Sequence, residues 1–358
     1  MSSSALQKAL TTILMMLSLL GCKEEPKIQE PLVDKRASIQ RIRGNAIYHW
    51  KTVFNLQEDE IAFLAAHSVK KIYVRYFDVD VENSPMNSTN AAIPIGTTVF
   101  KSSKPSDVEI VPTVFITVKS LVSTKKEGID DLASKIYTRV CNMADYNDMG
   151  PIREIQLDCD WTNSTQDLFY SLCEKIVHLA HADSVFVSST IRLHQLKMDP
   201  PPVDQGVLMV YNTGALRETG TKNSILDYDD VKTYLSCKSI HYDLPLDFAF
   251  PTYGWGVMFR DGAYNGILHK TDYSDETRYK KGKEGTFIVK KDHVLEGKDL
   301  WKGDVIRMEY PTADEVKKVA ELVISNVQDS THSVILYHLD SNNLLKYTDD
   351  EISSIYGY

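Results

Sequence analysis

Ile155-Gln156-Leu157-Asp158-Cys159-Asp160-Trp161-Thr162 is the stretch from which the fold is read. Its first half is a short apolar, β-favouring run, and Asp158 and Asp160 stand two residues apart, so a strand presents both carboxylates on one face. In a closed barrel that face is the lumen. Two carboxylates about 6.5 Å apart along a strand repel, which favours retention of one proton between them. Such a pair serves either acid–base chemistry or the ordering of the barrel, each carboxylate being capped by Arg, Tyr or backbone donors.

The same kind of run recurs along the chain. Candidate strands are Asn45–Lys51, Lys71–Phe77, Glu109–Val118, Arg153–Asp160, Ser184–Ile191, Gln205–Tyr211, Leu246–Pro251 and Ser333–Leu339. Amphipathic segments fall between them at Gln57–Ser68, Asp130–Ala144, Gln166–Ala182, Tyr228–Cys237 and Ala313–Val327, with Asp130, Asp131 and Thr312 suited to open helices. Eight strands alternating with helices predict an α/β fold, a (β/α)8 TIM barrel over residues 45–358. A doubly wound open sheet is the alternative, but no Gly-rich turn follows Asn45–Lys51. Residues 83–98 form a turn-rich irregular loop. Residues 260–310, rich in Gly and Lys, contain the alternating runs Thr286–Val289 and Val305–Met308, so a small β-rich insertion separates strands 7 and 8.

With 358 residues, 43% hydrophobic and 25% charged, the chain has enough apolar surface for a large core. Its net charge of −9 lacks the basic footprint that nucleic acid demands, so no nucleic-acid partner is expected. Lys8 precedes an apolar run of about a dozen residues, too short to span a bilayer. Residues 1–21 read as a signal peptide, and Leu19-Leu20-Gly21-Cys22 resembles a bacterial lipobox, which implies acylation of Cys22. Lys23-Glu24-Glu25 is similar to a signal that sends lipoproteins to the surface of some Gram-negative bacteria, implying an outer-membrane, surface-exposed protein. Residues 22–44 are the polar tether. Cys141, Cys159, Cys173 and Cys237 show no CxxC or metal-ligand spacing and read as free thiols, Cys159 and Cys173 in apolar settings. His49, His194, His241 and His338 form no HxH or HExxH set, so neither a metal nor a cofactor is expected.

Active groups of such barrels lie at the C-terminal strand ends. Those ends carry Trp50, Trp161, Tyr211, Asn212, Tyr253 and Trp255 beside Asp158 and Asp160. Rings that stack on sugar C–H faces, next to carboxylates and amides that meet hydroxyls, are the components of a glycan site. Asp158, Asp160 and Tyr211 are the candidate catalytic residues; Trp50, Trp161, Asn212, Tyr253 and Trp255 are the candidate substrate contacts.

Residues 155–162 resemble the fourth-strand motif of family 18 glycoside hydrolases, the chitinase family, which ends Asp-x-Asp-Trp-Glu. Met209-Val210-Tyr211-Asn212 is similar to that family's Met-x-Tyr-Asp, and Pro251-Thr252-Tyr253-Gly254 to its Pro-x-Tyr-Gly; Val334–Tyr337 aligns with the eighth strand, where a Trp is usual. The resemblance implies that Asp160 orients an acetamido group with Asp158 as its inner partner and Tyr211 as its hydrogen-bond donor. The family's general acid, however, falls on Thr162, and the Asp of its sixth strand on Asn212. Three readings follow: a hydrolase whose acid comes from Asp78, Asp80, Glu82 or Asp340; a non-catalytic glycan-binding lipoprotein; or a protein-interaction scaffold built on the insertion. If Cys22 carries the anchor, Cys22→Ala will move the protein from the membrane fraction to the soluble fraction on cell fractionation; unchanged sedimentation with membranes is the contrary result.

Overall fold

The computed structural model describes residues 42–82, 92–235, 242–269, 272–283, 285–327 and 332–358. Residues 1–21, where a signal peptide is expected, Cys22, most of the expected tether, Cys237 and His241 lie outside them. Eight parallel strands form the barrel: β1 (Ala46–His49), β2 (Lys71–Val81), β3 (Glu109–Ile116), β4 (Glu154–Asp158), β5 (Phe186–Arg192), β6 (Gln205–Met209), β7 (Leu246–Pro251) and β8 (Val334–Tyr337). Ala46 is paired both with Lys71 of β2 and with Ile335 of β8, which closes the sheet and rules out the open alternative. Residues Ala92–Ile95 add one antiparallel strand to the long β2.

The outer layer comprises α1 (Glu58–Ala66), α2 (Ile129–Tyr146), α3 (Gln166–Ala182), α4 (Tyr228–Leu235), α5 (Ala313–Asn326) and α6 (Asp349–Tyr356). Leu132, Ile136, Val140 and Ala144 recur at four-residue spacing and turn one stripe of α2 onto the sheet. Thr312 opens α5 through a capping box: its hydroxyl accepts the Glu315 amide at 3.2 Å while Glu315 accepts the Thr312 amide at 2.9 Å. No described helix is long and apolar enough to cross a membrane. Cys159 and Cys173 are buried free thiols, and burial pushes both above the ordinary thiol pKa.

The lumen holds layered polar groups beside an apolar cluster that includes Val111, Val207, Met209, Ala249 and Ile335. On β4 the inward positions are Glu154, Gln156 and Asp158. At the base Lys71 reaches Glu154, which also accepts from Ser188 Oγ at 2.7 Å and Tyr73 Oη at 3.2 Å. In the next layer Gln156 Oε1 accepts from Tyr48 Oη at 2.7 Å and from Thr113 Oγ1 at 3.3 Å. Buried polar groups are tolerated only when so partnered.

After β7 the chain enters a five-stranded antiparallel sheet ordered Ala263–Leu268, Trp255–Arg260, Val305–Glu309, Thr286–Val289, Tyr279–Lys281. It has its own core of Met258, Leu268, Tyr273, Tyr279, Val289, Leu300 and Ile306, and its strands are not part of the barrel sheet. The excursion starts at Trp255, earlier than the residue 260 that composition marks. Gly254 permits the departure: a Cβ there would lie 2.7 Å from the Glu309 carbonyl.

Lys71 and Glu154 are 2% and 1% exposed, so removing one leaves an uncompensated buried charge. Lys71→Met is expected to destabilise the fold by about 3–5 kcal/mol, and the double change Lys71→Met with Glu154→Leu to recover most of that loss. Urea unfolding of the three proteins checks this; a single-variant loss below about 1 kcal/mol would show that Glu154 does not depend on the ammonium.

Candidate functional site

The upper end of β4 is organised by Arg192, the last residue of β5. Its Nη2 donates to Asp158 Oδ1 at 2.9 Å and its Nε to Asp160 Oδ1 at 2.6 Å, and Thr190 Oγ1 adds a 2.6 Å bond to Asp158. Burial alone would lower the guanidinium pKa, but the two aspartates outweigh it and hold Arg192 above its ordinary value. Asp158 is buried, as its parity requires. Asp160 departs from expectation: β4 ends at Asp158, and Asp160 sits exposed at the rim on Arg192, not in the lumen beneath Tyr211. The Tyr211 hydroxyl donates instead to Met209 Sδ at 3.4 Å.

Trp161 is also corrected. It is 0% exposed, stacked on Phe169 at 6.2 Å with Tyr170 edge-on at 5.3 Å, and belongs to the layer between sheet and α3. The indole keeps the outward parity of Ile155, Leu157 and Cys159 and joins the same core. Thr162, where the general acid was sought, is exposed and donates its amide to Thr165 Oγ1 at 3.0 Å.

A cavity of about 870 Å³ opens at the C-terminal mouth, on the side of β6–β8, and Asp158 is not among the described residues that line it. Trp50, Tyr211, Asn212, Tyr253 and Trp255 border it, together with Tyr337, His338 and Asp340 after β8 and His269, Asp272 and Glu296 from the insertion. Asp160 and Arg192 border a neighbouring hollow of about 300 Å³, which shares Tyr211 and Asn212 with the larger cavity. Tyr337 is the hub of the ring wall, with centroids 5.0 Å from Tyr211, 5.6 Å from Tyr253 and 6.1 Å from Trp50. Burial raises the phenol pKa of Tyr211, Tyr253 and Tyr337, which remain neutral hydrogen-bonding groups.

The wall is pinned by polar bonds. Tyr253 Oη donates to Asn212 Oδ1 at 2.6 Å, with Asn212 in the left-handed region at φ 56°. Trp255 Nε1 donates to Glu309 Oε2 at 2.8 Å, and buried Glu309 also accepts from the Ser224 amide at 3.0 Å and Arg307 Nε at 2.6 Å. Arg307 Nη1 reaches the Glu218 carbonyl at 2.6 Å. One carboxylate thus ties the β6–α4 loop, the insertion and an indole of the cavity.

Of the alternative acids, Asp78 is engaged by Arg75 and Asp80 accepts from Thr117 Oγ1 at 2.9 Å. Asp340 borders the cavity, 3.1 Å from Lys51 Nζ, which also donates to Glu60 at 2.8 Å. Beneath them lies His49, wholly buried against Phe54 and without a hydrogen-bond partner at either ring nitrogen. Burial, with lesser contributions from Lys51 and His338, lowers its pKa to about 4. Burial lowers His338 to about 4 as well.

The architecture is a (β/α)8 barrel with an aromatic cleft at its C-terminal mouth. Neither a protein-family model nor a curated protein matches the sequence. Among solved structures the chain is similar to a chitinase from Chromobacterium violaceum, with 10% identity over 88% of this chain and 99% of that one at a TM-score of 0.50. It is also similar to the Bacillus cereus spore cortex-lytic enzyme SleL, with 11% identity over 88% and 74% of the two chains and a TM-score of 0.51. A third similar structure is a mutant class V chitinase from Nicotiana tobaccum in complex with NAG4, with 10% identity over 88% and 99% and a TM-score of 0.51.

Sequence reasoning missed Arg192 and Glu309, and placed Tyr337 at the eighth strand end without making it a substrate contact. Arg192 carries a signal: it stands two residues after Thr190 and so shares its inward parity. Glu309 sits in an insertion whose register with Trp255 no local pattern reveals.

The neutral buried histidines make stability pH-dependent. A histidine at 6.5 when unfolded and about 4 when folded leaves the unfolded chain binding more protons between those values, so stability is full above about pH 6.5 and falls as pH drops toward 4. For His49 the loss is on the order of 3 kcal/mol. His49→Phe is expected to flatten this part of the stability–pH curve in urea titrations from pH 7.5 to 4.5; an unchanged slope would remove His49 as its origin.

Proposed function

We propose that this protein is a surface lipoprotein whose barrel binds oligosaccharide in the aromatic cavity and does not cleave it. The observation that carries this reading is Arg192. Its guanidinium donates to Asp158 and Asp160 together, so both carboxylates are engaged as acceptors, and Thr162 supplies no acid in their place. A missing general acid costs about 10²–10⁴-fold in rate, and here the remaining pair is committed as well. The ring wall, by contrast, is complete. Trp50, Tyr337, Tyr253 and Trp255 supply faces for sugar C–H groups, and Asn212, Asn342, Asn343 and Asp340 supply partners for hydroxyls around one cavity. The NAG4 complex of the tobacco chitinase supports an oligosaccharide as the ligand class. The lipid anchor at Cys22 and the surface location rest on the lipobox-like and sorting-like residues 19–25.

The hydrolase reading has one observation in its favour, the presence of Asp340 in the cavity wall; its ion pair with Lys51 makes it an acceptor there. A glycan array run beside a reducing-end release assay separates the two. Binding without release is expected, with Trp50→Ala and Trp255→Ala each weakening the best oligosaccharide about tenfold, near 1.4 kcal/mol for a lost stacking face. Release that is abolished by Asp340→Asn would restore the hydrolase, and failure to bind any glycan would defeat both.

A further inference from the structure

We propose that the glycan site continues out of the cavity along a hairpin of the insertion, where Trp301 is the stacking platform for the distal end of a long oligosaccharide. This rests on the glycan-binding reading and adds a contact outside the cavity, so that affinity depends on the length of the ligand. The hairpin pairs His293–Leu295 with Lys298–Leu300. Glu296, at its tip, borders the cavity. Trp301 follows the second strand, about 10 Å of extended chain from Lys298. Cavity and ring thus stand at the two ends of one short element. Register decides which face the ring joins. His293 opposes Leu300 and Val294 opposes Asp299. Leu300 is buried in the core of the insertion, so alternation sends Val294 and Asp299 outward. Trp301, two residues after Asp299, keeps that parity. It is 54% exposed, with Val294 61% exposed on the neighbouring strand.

Single exposed apolar side chains are common; this one is distinguished by how firmly it is held. Buried Asp304 accepts the Trp301 amide at 2.8 Å, and it accepts Arg260 Nε at 2.9 Å and Nη2 at 2.7 Å. Arg260 Nη2 also donates to the Asp299 carbonyl at 2.7 Å, and its guanidinium lies 3.8 Å from the centroid of the Trp301 ring. The clamped guanidinium backs the indole while more than half of the residue stays open to solvent. A ring fixed before its ligand arrives loses little side-chain entropy on binding. Its face suits the C–H surface of a pyranose, and the outward Asp299 stands beside it for sugar hydroxyls. Continuity with the cavity through the hairpin makes the occupant the far end of the same oligosaccharide.

The test is calorimetry on the full chain with four probes: the tetramer and the octamer of N-acetylglucosamine, and the tetramer and the octamer of xylose. In a series that binds, Trp301→Ala is expected to weaken the octamer about tenfold and to leave the tetramer within about twofold. Trp301→Phe, which keeps a ring, should recover most of the octamer affinity. Trp50→Ala, inside the cavity, should weaken both lengths. An octamer weakened less than about threefold by Trp301→Ala, or tetramer and octamer weakened alike, would overturn the platform and leave glycan binding in the cavity standing. Failure of all four probes to bind would overturn the glycan reading and the platform with it.

Discussion

Closing eight parallel strands leaves a lumen that must be filled, and the pleat of β4 sends three polar side chains into it. Glu154, Gln156 and Asp158 alternate with Ile155 and Leu157, which face the helices. Each inward group then dictates partners on other strands. Glu154 requires Lys71 across the barrel, Gln156 requires Tyr48 and Thr113, and Asp158 requires Thr190 and Arg192. A buried polar group left unpartnered costs several kcal/mol, so these pairings fix the relative placement of β1 to β5. An all-apolar lumen would pack without such specific alignment.

The top layer of this column has a consequence for chemistry. Arg192 satisfies Asp158 and reaches past the strand end to Asp160, engaging both carboxylates where the resemblance to chitinases would put a reacting sugar. Open space lies on the other side of the mouth, where β6, β7 and β8 end in Tyr211, Pro251 and Tyr337 and the insertion supplies a further wall. The ordering of one half of the barrel by charge and the opening of the other half by rings are one arrangement: the polar column stabilises β4 and β5, and the aromatic face is held by its own bonds, Tyr253 to Asn212 and Trp255 to Glu309.

How far this was legible in the sequence follows the reach of local rules. Period-two alternation placed Asp158 correctly and all eight strands within a few residues, because a strand is a local pattern. Alternation also holds at Trp161, which keeps the outward parity of Ile155, Leu157 and Cys159, and at Asp160, which meets the same guanidinium as Asp158. What it does not specify is depth, so the indole lies in the sheet–helix layer and Asp160, past the strand end, at the exposed rim. Lys71 and Glu154, charged residues at the starts of strands, carry no mark of burial in sequence, since only closure of the barrel brings positions 83 residues apart into contact. Trp50, Tyr211, Asn212, Tyr253 and Trp255 converge because strand ends of a parallel barrel meet at one mouth, a topological rule that needs no register.

Glu309 marks where that rule stops and tertiary coupling begins. Its carboxylate takes donors from Ser224, Trp255 and Arg307, while Arg307 in turn grips the carbonyls of Leu216 and Glu218. In a low-dielectric setting such a network is strong when complete and costly when broken. The orientation of Trp255 is therefore inseparable from the docking of the insertion strand Val305–Glu309 and of the loop after β6. An indole that sits half-buried at a cavity mouth would otherwise sample several rotamers and lose side-chain entropy on meeting a ligand. By fixing the ring before a ligand arrives, Glu309 shifts that entropy loss into folding, and the insertion becomes part of the binding surface instead of an appendage to it.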